Sequence, residues 1–133
     1  MGAGFPRDED RMVPTVSRPL YQLRIYEVAA DRREAFHARF RDHAMRIMAR
    51  YGFEIVALWE STSVTDFELV YLLRWPDAET MELCWREFLA DPEWIGIKQR
   101  MDEDIGEPVR KVTSRVLDAL PYSPLLQAGT RGM

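Results

Sequence analysis

Several features that often identify a protein's function are scarce or missing in this chain of 133 residues. Cys84 is its only cysteine, which excludes a disulfide framework and a cysteine-based zinc site and favours a reducing compartment. No apolar run approaches the roughly 20 residues that span a bilayer, and residues 1–18 lack the apolar segment of a signal peptide. We therefore expect a soluble cytoplasmic protein that does not bind membranes.

Charge and sequence motifs exclude further classes of protein. The 18 basic and 22 acidic residues are interspersed and give a net charge of −4, so no basic stripe is available for nucleic acid. The chain also lacks a phosphate loop, a dinucleotide fingerprint and the Gly-x-Ser-x-Gly nucleophile motif. The two histidines, His37 and His43, fall on opposite flanks of one predicted helix, so we predict no metal site. With those motifs missing, we also predict no cofactor.

What remains is a regular alternation of strand and helix patterns. Strands are predicted over residues 20–28, 53–60, 67–75 and 109–117, because apolar residues alternate there or run continuously. A helix is predicted over 31–51, with Asp31 as its N-cap and Gly52 after its end. Asp77 and the Asp91-Pro92 pair each signal the start of a further helix.

This order predicts an α+β fold of the ferredoxin-like type, β-α-β-β-α-(α)-β, with an antiparallel sheet. The domain is expected over residues 19–120, with residues 1–18 as a flexible N-terminal arm and residues 121–133 as a C-terminal tail. Right-handed crossovers would place both long helices on the same face of the sheet.

The two central strand segments are apolar on both faces, which a sheet with one solvated face would not be. Simple alternation places Val70 and Leu72 opposite Tyr71 in one strand. In the other strand it places Val56 and Leu58 on one face and Phe53, Ile55, Ala57 and Trp59 on the other. Since the helices cover only one face, we predict a homodimer in which a second copy covers the other.

The sequence resembles the NIPSNAP family from about Tyr21 to Pro124. The resemblance rests on Tyr21-Gln-Leu-Arg-Ile-Tyr26, Tyr51-Gly52-Phe53, the Trp59 strand, Val70-Tyr-Leu-Leu, Trp85-Arg-Glu-Phe88, Asp91-Pro92-Glu93-Trp94 and Tyr122-Ser-Pro124. It implies a dimeric α+β barrel, in which two ferredoxin-like protomers pack their sheets together. Proteins with that fold include cofactor-free monooxygenases, isomerases, cyclases and haem-binding enzymes, so the fold does not determine the reaction.

Arg24 is the first candidate site residue, because a cation in the middle of a strand needs a partner or a wet cavity. It shares a predicted face with Gln22 and Tyr26. One interpretation is a fixed cation that binds the carboxylate or enolate of a small substrate. The other is a structural ion pair with Glu60, Glu68 or Asp118.

Further candidates are His43, Tyr71 and Arg74. His43 lies at the edge of the apolar arc of its helix, where it would serve as a general base, a haem ligand or a hydrogen-bonded boundary residue. Tyr71 with Arg74, like Tyr26 with Arg24, would place a phenol beside a cation and stabilise an oxyanion without a cofactor.

The aromatic residues allow two interpretations: the wall of a ligand pocket, or ordinary core and interface packing. Trp59, Trp85 and Trp94, with Arg74, are the ligand-binding candidates. We weigh two functions: a small-molecule site, with cofactor-independent oxygenase, isomerase or cyclase chemistry as its extension, and a non-catalytic interaction or carrier module. A cavity that holds Arg24 and a tyrosine or histidine would favour the former, and a filled interior with exposed tryptophans the latter.

Overall fold

The computed structural model describes residues 19–62 and 66–124. Its strands are β1 (Leu20–Val28), β2 (Glu54–Ser61), β3 (Phe67–Trp75) and β4 (Val109–Asp118), and its α-helices are α1 (Arg33–Arg39), α2 (Met45–Arg50), α3 (Ala78–Leu89) and α4 (Pro92–Ile105). The arm predicted over residues 1–18, and the predicted tail from residue 125 onward, lie outside the described residues. None of the helices in the described ranges is both long and apolar enough to cross a membrane.

The strands form an antiparallel sheet in the order β2-β3-β1-β4. This is the ferredoxin-like order that the sequence predicts, with β1 and β3 in the centre. In their register, Arg24 of β1 lies opposite Tyr71 of β3, and Leu23 lies opposite Leu72. Since directly paired residues share a face, Arg24 and Tyr71 are on one side of the sheet and Leu23 and Leu72 on the other.

The predicted helix over 31–51 is interrupted in the structure. A 3-10 turn at Ala30–Arg32 leads into α1, and a π-helical turn at Phe40–Ala44 joins α1 to α2. The prediction that Asp31 caps this helix is wrong, because its side chain makes no capping hydrogen bond. The Asp66 carboxylate, just before β3, accepts instead from the Ala30 N–H at 3.2 Å.

The other helix boundaries follow the sequence signals. Asp77 accepts a hydrogen bond from the Thr80 N–H at 2.7 Å, and Asp91 accepts one from the Trp94 N–H at 3.0 Å. Gly52 has a φ of 86°, the left-handed conformation in which glycine is favoured. These local predictions are confirmed because each depends on residues only a few positions apart.

For half of the residues in the β2 segment, the sequence pattern predicts the wrong face of the sheet. The register shifts between Ile55, which pairs with Leu73, and Ala57, which pairs with Leu72. A β-bulge at this point inserts one extra residue, so that Ile55 faces the helices while Ala57 and Trp59 face away from them.

Within the described residues, the helices cover one face of the sheet and not the other. The helices bury the face that carries Tyr71, Leu73 and Trp75, which are at most 1% exposed. On the opposite face, no helix of the described chain packs against the apolar residues. We call these residues the helix-free face: Tyr21, Leu23, Ile25, Ala57, Trp59, Val70, Leu72 and Leu117. Trp59 is 52% exposed there.

Candidate functional site

A cavity of about 240 Å³ lies between the sheet and the helix layer. Its floor is formed by side chains that are almost inaccessible to solvent, such as Phe36, Met48 and Phe88. Arg24 and Tyr26 reach it from β1, since their alternation directs both side chains to the helix side of the sheet. The remaining aromatic walls are Phe40, Trp85 and Trp94.

Arg24 is the unusual group in this cavity. Its guanidinium lies 4.2 Å from the ring centre of Trp85, and one terminal nitrogen donates to the Tyr26 hydroxyl at 3.2 Å. Its Nε atom is buried without a hydrogen-bond partner. Among the described residues Arg24 makes no ion pair, and Glu60, a partner considered from the sequence, binds Arg33 and His37 instead. Arg24 is therefore a partly buried cation without a counter-charge among the described residues.

A pair of phenols extends the polar part of the site. The hydroxyl oxygens of Tyr26 and Tyr71 are 2.7 Å apart, and their rings pack edge to face. Tyr71 is fully buried, and this burial, followed by the neighbouring Tyr26, raises its pKa well above the ordinary value. Tyr71 thus stays neutral. When it donates to Tyr26, the hydroxyl proton of Tyr26 is available to a molecule in the cavity.

Gln22 organises the site, although sequence reasoning did not select it. Its side-chain oxygen accepts hydrogen bonds from the indole N–H groups of Trp75, at 2.9 Å, and Trp85, at 2.8 Å. Its amide nitrogen donates to Ser114 of β4 at 2.9 Å. Gln22 is only 5% exposed and fixes the Trp85 ring beneath Arg24. The available signal was an amide two residues before Arg24, on the same face of the strand.

Arg39 and Glu107 form a second polar group in the cavity wall, which the sequence analysis also missed. The two side chains make paired hydrogen bonds of 3.1 and 3.2 Å, and Arg39 is 5% exposed. Burial alone would raise the pKa of Glu107. Hydrogen bonds from Arg39 and from the Val109 N–H outweigh it and hold that pKa below its ordinary value. This pair is therefore internally neutral.

The structure does not bring His43 into the cavity. It lines an open groove between the π-helical turn and α4, a position that agrees with the hydrogen-bonded boundary residue among the roles weighed for it. Its Nδ1 lies 3.1 Å from a guanidinium nitrogen of Arg46. The π-helical turn contributes to this outcome, because its extra residue rotates the helix faces relative to a regular 3.6-residue repeat.

Arg74 and Trp59 lie on the other side of the sheet. Arg74 is three residues from Tyr71, so the two point to opposite faces and the expected phenol–cation pair between them does not form. Arg74 binds Glu54 on the neighbouring strand at 2.7 Å instead. Of the tryptophans proposed as ligand contacts, Trp85 and Trp94 line the cavity and Trp59 does not.

The Asp91-Pro92-Glu93-Trp94 segment positions one wall of the cavity. The Asp91 carboxylate, which is 3% exposed, accepts from the Tyr51 hydroxyl, the Arg50 guanidinium and the Trp94 backbone N–H. These bonds lower its pKa, and they connect the end of α2 to the start of α4. Trp94 is thereby held in a stack on Phe88, with ring centres 5.1 Å apart.

Within the described residues, no group of three or more histidine, cysteine, aspartate or glutamate side chains is placed to hold a metal ion. Cys84, the one thiol, is buried, and burial raises its pKa.

Comparison with known proteins identifies the family of this chain. The NIPSNAP family model matches residues 21–124, which is most of the sequence. The chain belongs to the NIPSNAP family. No curated protein matches it.

Solved structures of other NIPSNAP proteins have the same fold. A family protein of unknown function from Agrobacterium tumefaciens superposes with a TM-score of 0.70 at 16% identity, covering 82% of this chain and 95% of its own. A NIPSNAP domain protein from Burkholderia xenovorans gives 0.66 at 20% identity, with coverages of 79% and 98%. A putative antibiotic biosynthesis monooxygenase from Nitrosomonas europaea gives 0.56 at 9% identity, with coverages of 84% and 99%. At these identities the likeness shows the fold alone.

Glu93, in the tryptophan-containing segment of this NIPSNAP domain, makes stability sensitive to acid. Hydrogen bonds from Arg46 and Arg50 lower its pKa from 4.5 to about 2. A carboxylate whose pKa is depressed on folding contributes stability above its unfolded pKa and loses it as the pH falls toward the folded one. Between pH 4.5 and 2 the melting temperature of the wild type should therefore fall more steeply than that of Glu93→Gln. The control is Glu103→Gln, on the same helix but without an ion pair among the described residues, which should follow the wild type. If the melting temperature falls equally steeply with pH in all three proteins, the role of Glu93 is contradicted.

Proposed function

We propose that the protein binds a small aromatic molecule with an acidic oxygen and stabilises the negative charge on that oxygen. The observation that carries this proposal is the Arg24 guanidinium, which lines the cavity without an ion pair among the described residues and donates to the Tyr26 hydroxyl. A partly buried cation without a counter-charge is costly, so an anionic oxygen that pairs with it recovers part of that cost. The guanidinium and the phenol together offer donors of the kind that bind a carboxylate, an enolate or a phenolate.

The aromatic part of the ligand follows from the walls. Phe36, Phe40, Phe88 and Trp94 give the cavity flat apolar surfaces, and the polar groups are few. The Trp85 indole supports the guanidinium from beneath, which adds a cation–π interaction and keeps the cation in place. A volume of about 240 Å³ suits a molecule of one or two fused rings rather than a nucleotide or a peptide.

The chemistry that fits this site is proton or oxygen chemistry without a cofactor. An ionised enol or phenol is electron-rich at carbon, where it either accepts a proton or reacts with molecular oxygen. Preorganised donors that favour the ionised form lower the barrier to either reaction. Isomerase, cyclase and oxygenase activities of this type are all consistent with Arg24 and Tyr26 as the groups that contact the oxygen, and with Tyr71 as the residue that positions Tyr26.

The proposal is tested by calorimetric titration with 2-naphthoate, a rigid two-ring acid. The wild type should bind it, and Arg24→Gln should weaken binding about 100-fold, since hydrogen bonds to charged groups contribute about 1.5–3 kcal/mol. Arg74→Gln is the matched control, because Arg74 lies on the opposite face of the sheet and should leave the affinity unchanged. Circular dichroism verifies that both variants fold. Failure of the wild type to bind, or equal affinity of Arg24→Gln, would contradict the proposal.

We also propose that the functional form is a homodimer joined through the helix-free face. Eight apolar side chains lie together there, of which all but Tyr21 are partly or fully exposed, and monomeric proteins rarely expose a contiguous apolar patch of that kind. A second copy is the simplest occupant because the same face of its sheet has the same composition and can pack against the first. In such a dimer the two cavities lie on the outer sides of the paired sheets, each next to its own helices.

A further inference from the structure

Lys98 of α4 is a second cation in the cavity wall. It makes no salt bridge among the described residues, and Glu107, whose pKa it helps to lower, is already hydrogen-bonded to Arg39. We propose that the ligand carries a second acidic group, which the Lys98 ammonium binds at the entrance of the cavity. The preferred ligand would then be an aromatic dianion, such as an aromatic dicarboxylate or a carboxylate with an ionised enol or phenol. This proposal concerns the specificity of the site and rests on the function proposed above.

The solvent exposure of the lining side chains distinguishes the entrance of the cavity from its interior. Leu89 is 54% exposed and Val112 is 49% exposed, and Lys98 is exposed beside them in the lining. We call these three residues the mouth. Phe36, at 1% exposure, and Phe88, at 2%, lie in the interior. The Nε of Arg24 is buried, so the two cations lie at different depths.

A count of charges in the lining supports a ligand with two negative groups. The ionised residues of the lining are Arg24, Arg39, Lys98 and Glu107. Glu107 is the one carboxylate among them; it is hydrogen-bonded to Arg39 and also attracts the Lys98 ammonium. Three cations and one carboxylate leave the lining with a net charge of +2. A ligand with one acidic oxygen would balance only half of it.

The two cations also belong to different layers of the fold. Arg24 projects from the central strand β1, whereas Lys98 projects from helix α4. We expect a ligand that contacts both to reach from the sheet to α4, with one acidic group at each end and its rings near Phe88 and Trp94. This geometry selects for a rigid molecule with terminal acidic groups over one with adjacent groups.

The test compares 2-naphthoate with naphthalene-2,6-dicarboxylate, which has the same rings and one more carboxylate at the far end. At low salt the wild type should bind the dicarboxylate about fivefold more tightly, an advantage that shrinks as salt screens the exposed Lys98 charge. Lys98→Gln should abolish this preference while its affinity for 2-naphthoate changes by less than twofold. Lys111→Gln is the matched control, since Lys111 lies on β4 near Glu27, away from the cavity, and should keep the preference.

The outcomes separate this proposal from the function on which it rests. If 2-naphthoate binds and depends on Arg24, but the wild type shows no preference or Lys98→Gln retains it, the second acidic group is wrong and the proposed function stands. If neither compound binds, or if binding does not depend on Arg24, both are overturned. A preference that Lys98→Gln and Lys111→Gln reduce equally reflects overall charge and also overturns the role of Lys98.

Discussion

Replacing Gln22 with leucine should lower the free energy of unfolding by about 3 kcal/mol. The carbonyl oxygen of Gln22 is the acceptor for the indole N–H groups of both Trp75 and Trp85. Trp75 is 1% exposed, so water cannot replace the lost acceptor, and a buried donor without a partner costs about 1–3 kcal/mol. The bond to Ser114 is lost as well, which adds roughly another kilocalorie.

Urea denaturation measures this effect, with Gln99→Leu as the matched control. Gln99 is exposed on α4, and surface substitutions of this kind usually change stability by no more than about 0.5 kcal/mol. A second readout is 2-naphthoate affinity, which should also fall for Gln22→Leu because the Trp85 ring is no longer fixed beneath Arg24. If Gln22→Leu is as stable as Gln99→Leu, the two indole hydrogen bonds to Gln22 do not stabilise the fold as we expect.

Replacing Leu72 with glutamate should convert the protein to a monomer. Leu72 lies in the middle of the helix-free face, between Leu23 on β1 and Ala57 on β2. In a dimer joined through this face, each interface would bury two carboxylates without partners. Each carries a penalty of several kcal/mol, so we expect the dimer dissociation constant to rise at least 100-fold.

Light scattering after size-exclusion chromatography distinguishes the two forms. The wild type should have twice the chain mass of 15.6 kDa at micromolar concentration, and Leu72→Glu should have the single-chain mass. Leu83→Glu is the control, because Leu83 is 44% exposed on α3 and lies outside the helix-free face. A wild type of 15.6 kDa, or a Leu72→Glu variant that keeps the mass of a dimer, would contradict the proposed interface.

The sequence was most informative where the signal is local or strictly periodic. The alternation along β1 placed Gln22, Arg24 and Tyr26 on one face, and the structure confirms it. The caps at Asp77 and Asp91 are fixed by residues three positions away. The element order then led to the ferredoxin-like fold, because few topologies accommodate that order.

The sequence was least informative where one extra residue changes the phase of a repeat. Because of the bulge between Ile55 and Ala57, Trp59 lies on the opposite face of the sheet from Ile55. The π-helical turn likewise changes the direction in which His43 points from its helix. Neither irregularity leaves a composition signal in a single sequence. The contact between Tyr26 and Tyr71 depends on strand register across 45 residues, and the Arg39–Glu107 pair joins residues 68 apart. Such contacts follow only from tertiary structure.

The central claim is that the Arg24 guanidinium holds an acidic oxygen of the ligand. A crystal structure of the protein grown with 2-naphthoate tests it most directly. We expect the carboxylate within about 3 Å of a guanidinium nitrogen of Arg24 and of the Tyr26 hydroxyl, with the rings between Trp85 and Trp94. A structure in which the naphthoate occupies another surface, or points its carboxylate away from Arg24 toward solvent, would contradict the claim.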